Sequence, residues 1–339
     1  MKRRLQNKVA ESAWTLPVAC VITTLLWWLP LGHYSTDYLL GWIVCAVTTF
    51  LIIQVSDSNS LMRIRSSLNV AVYMLLMGAC GFLHALSVGS IMALWLVFVF
   101  FALFRSFDDR SSAATVFYTG VCLSLGSLFW GPMLLVLSVV IWSLLVYMRS
   151  ISFRTAMALL LGCLLPYWIW AAVATLQWDF SALLVHHIAI FQPFHEPFYW
   201  QWMIELAQTS DWAGFTAGVG DFFASLWQRH APELVASLYV TLLGLTGFFH
   251  YLFKSYDDTI RVRMYYYTIL LTQAVLAFWL LMQPTFFNEL FPMLILSTAP
   301  AAAHFFALRR TWLSNVWFCI CALLFVGVAV ICLFPGFIL

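Results

Sequence analysis

Read for its succession of apolar and polar positions, the chain resolves into eleven long apolar runs joined by short polar turns: residues 13–31, 38–55, 68–86, 90–104, 113–130, 133–148, 155–177, 234–253, 264–282, 289–307 and 313–334. A hydrocarbon core of about 30 Å takes roughly 20 helical residues to cross, so each run predicts a spanning α-helix. Apolar residues do not alternate with polar ones at every second position, which excludes the strands of an outer-membrane barrel. The expectation is an all-α, polytopic transmembrane helical bundle. Seven spans fill 1–177, an extracytoplasmic interfacial segment fills 178–232, and four spans fill 233–339.

Composition fits that pattern. The chain is 63% hydrophobic and only 9% charged, against about 25% charged in soluble domains. The distribution of charge then orients the bundle. With a cytoplasmic N-terminus, Lys2, Arg3, Arg4, Lys8, Arg63, Arg65, Arg105, Arg110, Arg149, Arg154, Lys254, Arg261, Arg263, Arg309 and Arg310 all fall inside, and only Arg229 falls outside. That asymmetry is the positive-inside signature, and eleven spans place the C-terminus outside. The expected location is a bacterial inner membrane. A net charge of +2, with basic residues scattered over loops, excludes a nucleic-acid partner. Lys2, Arg3 and Arg4 ahead of the run at 13–31 read as an uncleaved signal anchor, because the run is too long for a signal peptide and no small-residue cleavage site follows. All eight cysteines lie in apolar runs, where they read as small packing residues and not as disulfide or zinc partners.

The segment 178–232 is the one long stretch that does not read as spanning. It carries His186, His187, His195 and His230, five carboxylates and a single basic residue, Arg229. Phe180, Leu183, Leu184, His187, Ile188 and Phe191 recur at helical spacing and predict an amphipathic helix. Pro193 and Pro197 interrupt it, an aromatic stretch over 198–202 follows, and Gly214, Gly218 and Gly220 predict a loosened region before helix resumes at 222–228. Trp and Tyr favour the membrane–water interface, so the segment is expected to lie along it. Among the spans, Gly131-Pro132 predicts a tight turn, and Pro166, Pro292 and Pro300 predict kinks.

One internal echo stands out. Leu103-Phe104-Arg105-Ser106-Phe107-Asp108-Asp109 matches Leu252-Phe253-Lys254-Ser255-Tyr256-Asp257-Asp258 at an offset of 149, with further matches downstream. It reads either as a parallel repeat or, more simply, as aspartates capping two helices beside a basic loop.

Candidate chemistry is sparse. No Asp, Glu, Lys or Arg lies near the middle of a predicted span, which argues against an ion-coupled transporter. On the outer side, Asp37 is the candidate general base, with helix N-capping as the competing role. His33, His186, His187, His195, Glu196, Arg229 and Glu289 are candidate substrate contacts, the histidines and Arg229 suiting a lipid-phosphate head group. The histidines lack the i, i+4 spacing of a metal pair. On the cytoplasmic side, Asp108, Asp109, Asp257 and Asp258, with Arg110 and Arg261, form an alternative set for a divalent metal ion and a diphosphate. The sequence has no P-loop, GxSxG or HExxH motif.

Gly120, Gly126-Ser127-Leu128-Phe129, Pro132, Trp142, Phe153-Arg154, Gly162 and Pro166-Tyr167 resemble a family of uncharacterised polytopic inner-membrane proteins of Bacteroidota. The same rhythm is similar, more weakly, to the GT-C glycosyltransferases, which use polyprenyl-phosphate sugars at an outer-leaflet site. Those enzymes carry an acidic pair in a long first outer loop, whereas this loop is short and offers only Asp37. The resemblance implies a GT-C-like membrane glycosyltransferase, or a degenerate relative, acting on a lipid-phosphate-linked donor in cell-envelope biogenesis. A non-catalytic membrane subunit of an envelope-assembly or secretion complex, docking a protein partner, is the alternative. A lipid or small-molecule transporter is the third.

Overall fold

The computed structural model describes residues 4–29, 35–62, 66–177, 180–191 and 212–334. These residues are all helical and form thirteen α-helices with short 3-10 and π segments. In order they are α1 (Leu5–Glu11), α2 (Thr15–Trp28), α3 (Thr36–Asn59), α4 (Leu68–Ala79), α5 (Val88–Phe104), α6 (Ala113–Phe129), α7 (Leu137–Trp142), α8 (Phe153–Gln177), α9 (Ser181–Phe191), α10 (Trp212–Lys254), α11 (Ile260–Met282), α12 (Phe287–Leu308) and α13 (Trp312–Leu333). Six helices are long and apolar enough to cross a membrane, or seven if the bent α1–α2 pair counts as one span. Outward faces stay apolar, with Phe153, Leu176 and Leu323 more than 70% exposed. In water such a surface would be a liability; in lipid it is the solvent-facing side.

The bundle is organised around α12. From Leu290 to Ala307 nearly every side chain is buried, and α4, α5, α10 and α11 all pack on this helix. The run Ser297-Thr298-Ala299-Pro300-Ala301-Ala302-Ala303 keeps its surface thin enough for close approach, which is how helices associate where lipid removes the usual hydrophobic drive. A second close pair is α6 against α8. A Cβ built on Gly162 would stand 2.3 Å from the Phe117 carbonyl oxygen, and one on Gly120 would stand 2.6 Å from that of Leu159. Only glycine at both positions lets the backbones meet.

Several sequence expectations change in detail. The first predicted span is α1 and α2 meeting at 93°, with Gln6 and Asn7 of α1 buried by hydrogen bonds to the end of α12 and the start of α13. The run at 133–148 is irregular: a 3-10 segment over Gly131–Val136, a short α7, then a π segment over Ser143–Tyr147. Pro166, Pro292 and Pro300 lie inside helices that continue through them. The glycines at 214, 218 and 220 do not break the chain; they belong to α10, whose one irregularity is His230 (φ −133°, ψ 31°), two residues before Pro232. The ring of Pro232 removes the backbone donor and crowds the preceding turn, which places the bend there.

Candidate functional site

Asp37 occupies the first turn of α3 and is exposed. The N-cap of that helix is Ser35, so Asp37 is not the capping residue. Its carboxylate sits where it complements the helix N-terminus, while its backbone carbonyl accepts from Leu86 N–H at 2.9 Å. Beside it, His84 is fully buried, stacks on Trp27 at 4.2 Å and bonds the Gly78 carbonyl at 3.0 Å. That corner is a packing node.

The other outer residues do not converge on Asp37. His186 of α9 is half-buried against Tyr167 and Trp170 of α8, at ring separations of 6.0 and 5.1 Å. Ile190, one turn later, is buried against the turn at Gly131. Of the predicted apolar stripe, the three side chains among the described residues, Phe180, Leu184 and Ile188, are exposed. A lipid-facing element inverts the usual amphipathic rule, and the histidine face is the one that packs. Arg229 is exposed on α10 next to the His230 bend. Glu289 is half-buried in the first turn of α12, where its backbone meets Gly89 at the start of α5. His33, His195, Glu196 and the side chain of His187 lie outside the described residues.

The basic loops gather at one end of the bundle, stitched by hydrogen bonds. Asp108 N–H donates to the Met148 carbonyl at 2.8 Å, and Ser152 Oγ to the Arg110 carbonyl at 3.1 Å. Arg261 Nε donates to Tyr265 Oη at 2.7 Å, and Tyr265 Oη donates to the Phe104 carbonyl at 2.9 Å, which ties the second Asp-Asp loop to the end of α5. Arg263 holds the carbonyls of Ser255, Tyr256 and Asp258.

The two matching loops nevertheless use their aspartates differently. Asp108 takes a left-handed conformation (φ 54°). Asp109 is exposed and accepts from Ser111 N–H and Oγ at 2.8 and 2.6 Å, bonds that hold its carboxyl below the usual carboxylate range. Asp258 instead turns inward: its Oδ2 lies 3.0 Å from His304 Nε2, with both side chains almost wholly buried. The helices around the loops also differ, since α5 and α6 pack along their length whereas α10 and α11 scarcely touch. The echo is therefore local and does not extend to a repeated helix arrangement. Among the described residues, no three His, Cys, Asp or Glu side chains are grouped to hold a metal ion, so the four aspartates do not assemble into a cation site.

What the structure builds at this end is a cavity of about 550 Å³, whose lining includes His250, Lys254, Asp257, Asp258, His304, Arg309 and Arg310. The rings of Tyr251 and Tyr266 flank His304 at 4.8 and 5.0 Å and fix its orientation. His250 lies 5.8 Å from it, ring to ring. His304 Nδ1 and His250 Nε2 are both buried without a hydrogen-bond partner among the described residues, a costly condition unless something else meets them. The same His250, Lys254 and Arg309 also wall a groove of about 830 Å³ between α10 and α13, where Phe249, Phe253, Phe305, Trp317 and Ile320 line the sides and Thr246, Thr311 and Ser314 add hydroxyls. Cationic head space thus adjoins an apolar channel.

Sequence reasoning missed this set. His250, His304, Lys254, Arg309 and Arg310 read singly as span ends and loop charges. The signal available was the placing of ionisable groups at three span ends, but nothing in their spacing joins Asp258 to His304, 46 residues away.

Fold and site together define a helical membrane protein with a polar, cavity-bearing end. Comparison with protein-family models, with curated proteins and with solved structures finds no match to this chain.

Proposed function

We propose that the protein binds a phosphate-bearing lipid at its basic end, as a lipid-handling component of inner-membrane envelope biogenesis. The single observation that carries this reading is the adjoining pair of spaces: Lys254 and Arg309 beside an apolar groove between α10 and α13. A soluble anion needs no such groove, and a neutral lipid needs no such cations. The basic end is cytoplasmic on this reading, with eleven membrane segments, the N-terminus inside and the C-terminus outside. The six long helices, the bent α1–α2 pair and the four shorter apolar helices supply eleven segments in the predicted order.

An outer-leaflet transferase with Asp37 as base draws less support. Met62, just past the end of α3, receives the Tyr266 hydroxyl at 3.3 Å, and Tyr266 packs on His304, so that end of α3 adjoins the cavity. Asp37 lies at the other end of a 24-residue helix, about 35 Å away at 1.5 Å per residue.

The test is native mass spectrometry of the protein extracted gently from its own membrane. Wild type should retain a phosphate-bearing lipid that the Lys254→Ala/Arg309→Ala double variant loses. Equal retention by the two would refute the assignment of the site.

A further inference from the structure

Resting on the lipid-phosphate reading, we infer that the site selects a phosphomonoester head group and takes up a proton at the His250–His304 pair when it binds.

Several of the ionisable groups around the cavity are already engaged. Asp258 is hydrogen-bonded to His304, and Arg310 lies 4.0 Å from Glu11. Lys254 Nζ donates to the Tyr256 hydroxyl at 2.9 Å and keeps two further donors. Arg309 has its backbone carbonyl held by Gln6 and Asn7 of α1, which fixes the root of the side chain at the cavity wall. Lys254 and Arg309 therefore present cationic donors to the space. The two imidazoles line the same space, each with a buried ring nitrogen that lacks a partner among the described residues.

Head groups differ in what they bring to such a set. A phosphodiester offers two peripheral oxygens and one negative charge, which one cation answers. A phosphomonoester offers three oxygens and, with a second pKa near 6, a charge between one and two at neutral pH. Its third oxygen and extra charge are met by the imidazoles once Lys254 and Arg309 are engaged. A neutral imidazole has one N–H, and His304 directs one of its two nitrogens to Asp258. For both orphan nitrogens to donate to the head group, the pair must gain a proton, with Asp258 in place to stabilise a cationic His304. The titratable and charged groups facing the pair are Tyr251 and Lys254 from α10, Asp257 and Asp258 from the following loop, Tyr266 from α11, and Arg309 and Arg310 from the end of α12, with Glu11 of α1 on Arg310. Asp257, the other carboxylate of the lining, is exposed, and protonated ring nitrogens add to Lys254 and Arg309 the donors that the third oxygen of a dianion meets.

The test is isothermal titration of the full chain in dodecyl maltoside micelles. The probes are dioctanoyl phosphatidic acid (a monoester), dioctanoyl phosphatidylglycerol (a diester) and inorganic phosphate. Each is titrated in two buffers of different ionisation enthalpy, which gives the protons taken up. The expected result is phosphatidic acid binding about tenfold tighter than phosphatidylglycerol, with uptake of about one proton, so that affinity rises up to tenfold per unit fall in pH. His250→Gln should reduce the proton uptake and the preference for phosphatidic acid together. Equal affinity for the two lipids, or phosphatidic acid binding with no proton uptake, would overturn the inference and leave the lipid-phosphate reading standing. Inorganic phosphate binding as tightly as phosphatidic acid, or no binding of either lipid, would overturn both. The wild-type buffer comparison needs no variant, so a misfolded His250→Gln protein would not blunt the test.

Discussion

Breaking the Asp258–His304 contact should destabilise the fold as well as the site. The two side chains are 2% and 3% exposed and share one hydrogen bond of 3.0 Å. Removing Asp258 leaves both ring nitrogens of the buried His304 without a partner among the described residues. An unsatisfied buried polar group costs about 1–3 kcal/mol, and breaking a buried ion pair costs about 3–5 kcal/mol. The chain unfolded within a bilayer or micelle also finds polar partners, which lowers such couplings in membrane bundles to below about 2 kcal/mol. Asp258→Ala should therefore cost about 2–4 kcal/mol. The coupling between Asp258→Ala and His304→Ala, after the cavity left by His304 cancels in a double-mutant cycle, should be about 1–2 kcal/mol. The assay is equilibrium unfolding in mixed micelles of rising SDS fraction, followed by circular dichroism for wild type, both single variants and the double. Independent sites add to within about 0.5 kcal/mol. A coupling inside that margin would refute the pair as a structural unit.

Two further outcomes are expected. Gly162→Ala drives a Cβ to 2.3 Å from the Phe117 carbonyl, so α8 must move off α6 at a cost of about 1–3 kcal/mol. Gly327→Ala, with nothing within 4 Å, should be neutral or gain up to about 1 kcal/mol from helix propensity; equal losses at both positions in an SDS titration would show that α6–α8 contact is not what Gly162 serves. For topology, single cysteines placed at Ser111 and Ser181 in a cysteine-depleted background should react with a membrane-impermeant maleimide from opposite faces: Ser181 in intact cells, Ser111 only after the cells are opened. Labelling of both from one face would contradict the eleven-segment arrangement.

The places where reading the sequence succeeded and failed divide along one physical line. The helices at 38–55, 155–177, 264–282, 289–307 and 313–334 correspond to α3, α8, α11, α12 and α13 because continuous apolar character alone makes a buried or lipid-facing helix. The gathering of basic loops at one end follows from the order of short connections. α9 was legible as a helix, yet its packed face was not: apolar residues go outward into lipid as readily as inward, so Leu184 and Ile188 are exposed while His186 packs. Asp109 and Asp258 are equivalent in sequence and opposite in role. A hydroxyl two residues after Asp109 captures it locally, whereas Asp258 meets a histidine from a helix that only the fold brings near.

The sequence by itself determined an all-helical chain with apolar runs suited to a bilayer and a charge bias toward one set of loops, because helix periodicity, hydropathy and charge are properties of neighbouring residues. Tertiary structure alone decided that α12 is the axis, that Gly120 and Gly162 face each other, and that Lys254, Asp258, His304 and Arg309 enclose one cavity. Those are relations between residues that, for α4 and α12, stand more than 200 positions apart, set by which thin helix surfaces fit together, and in a chain where lipid accepts any apolar face, hydrophobicity cannot choose among them.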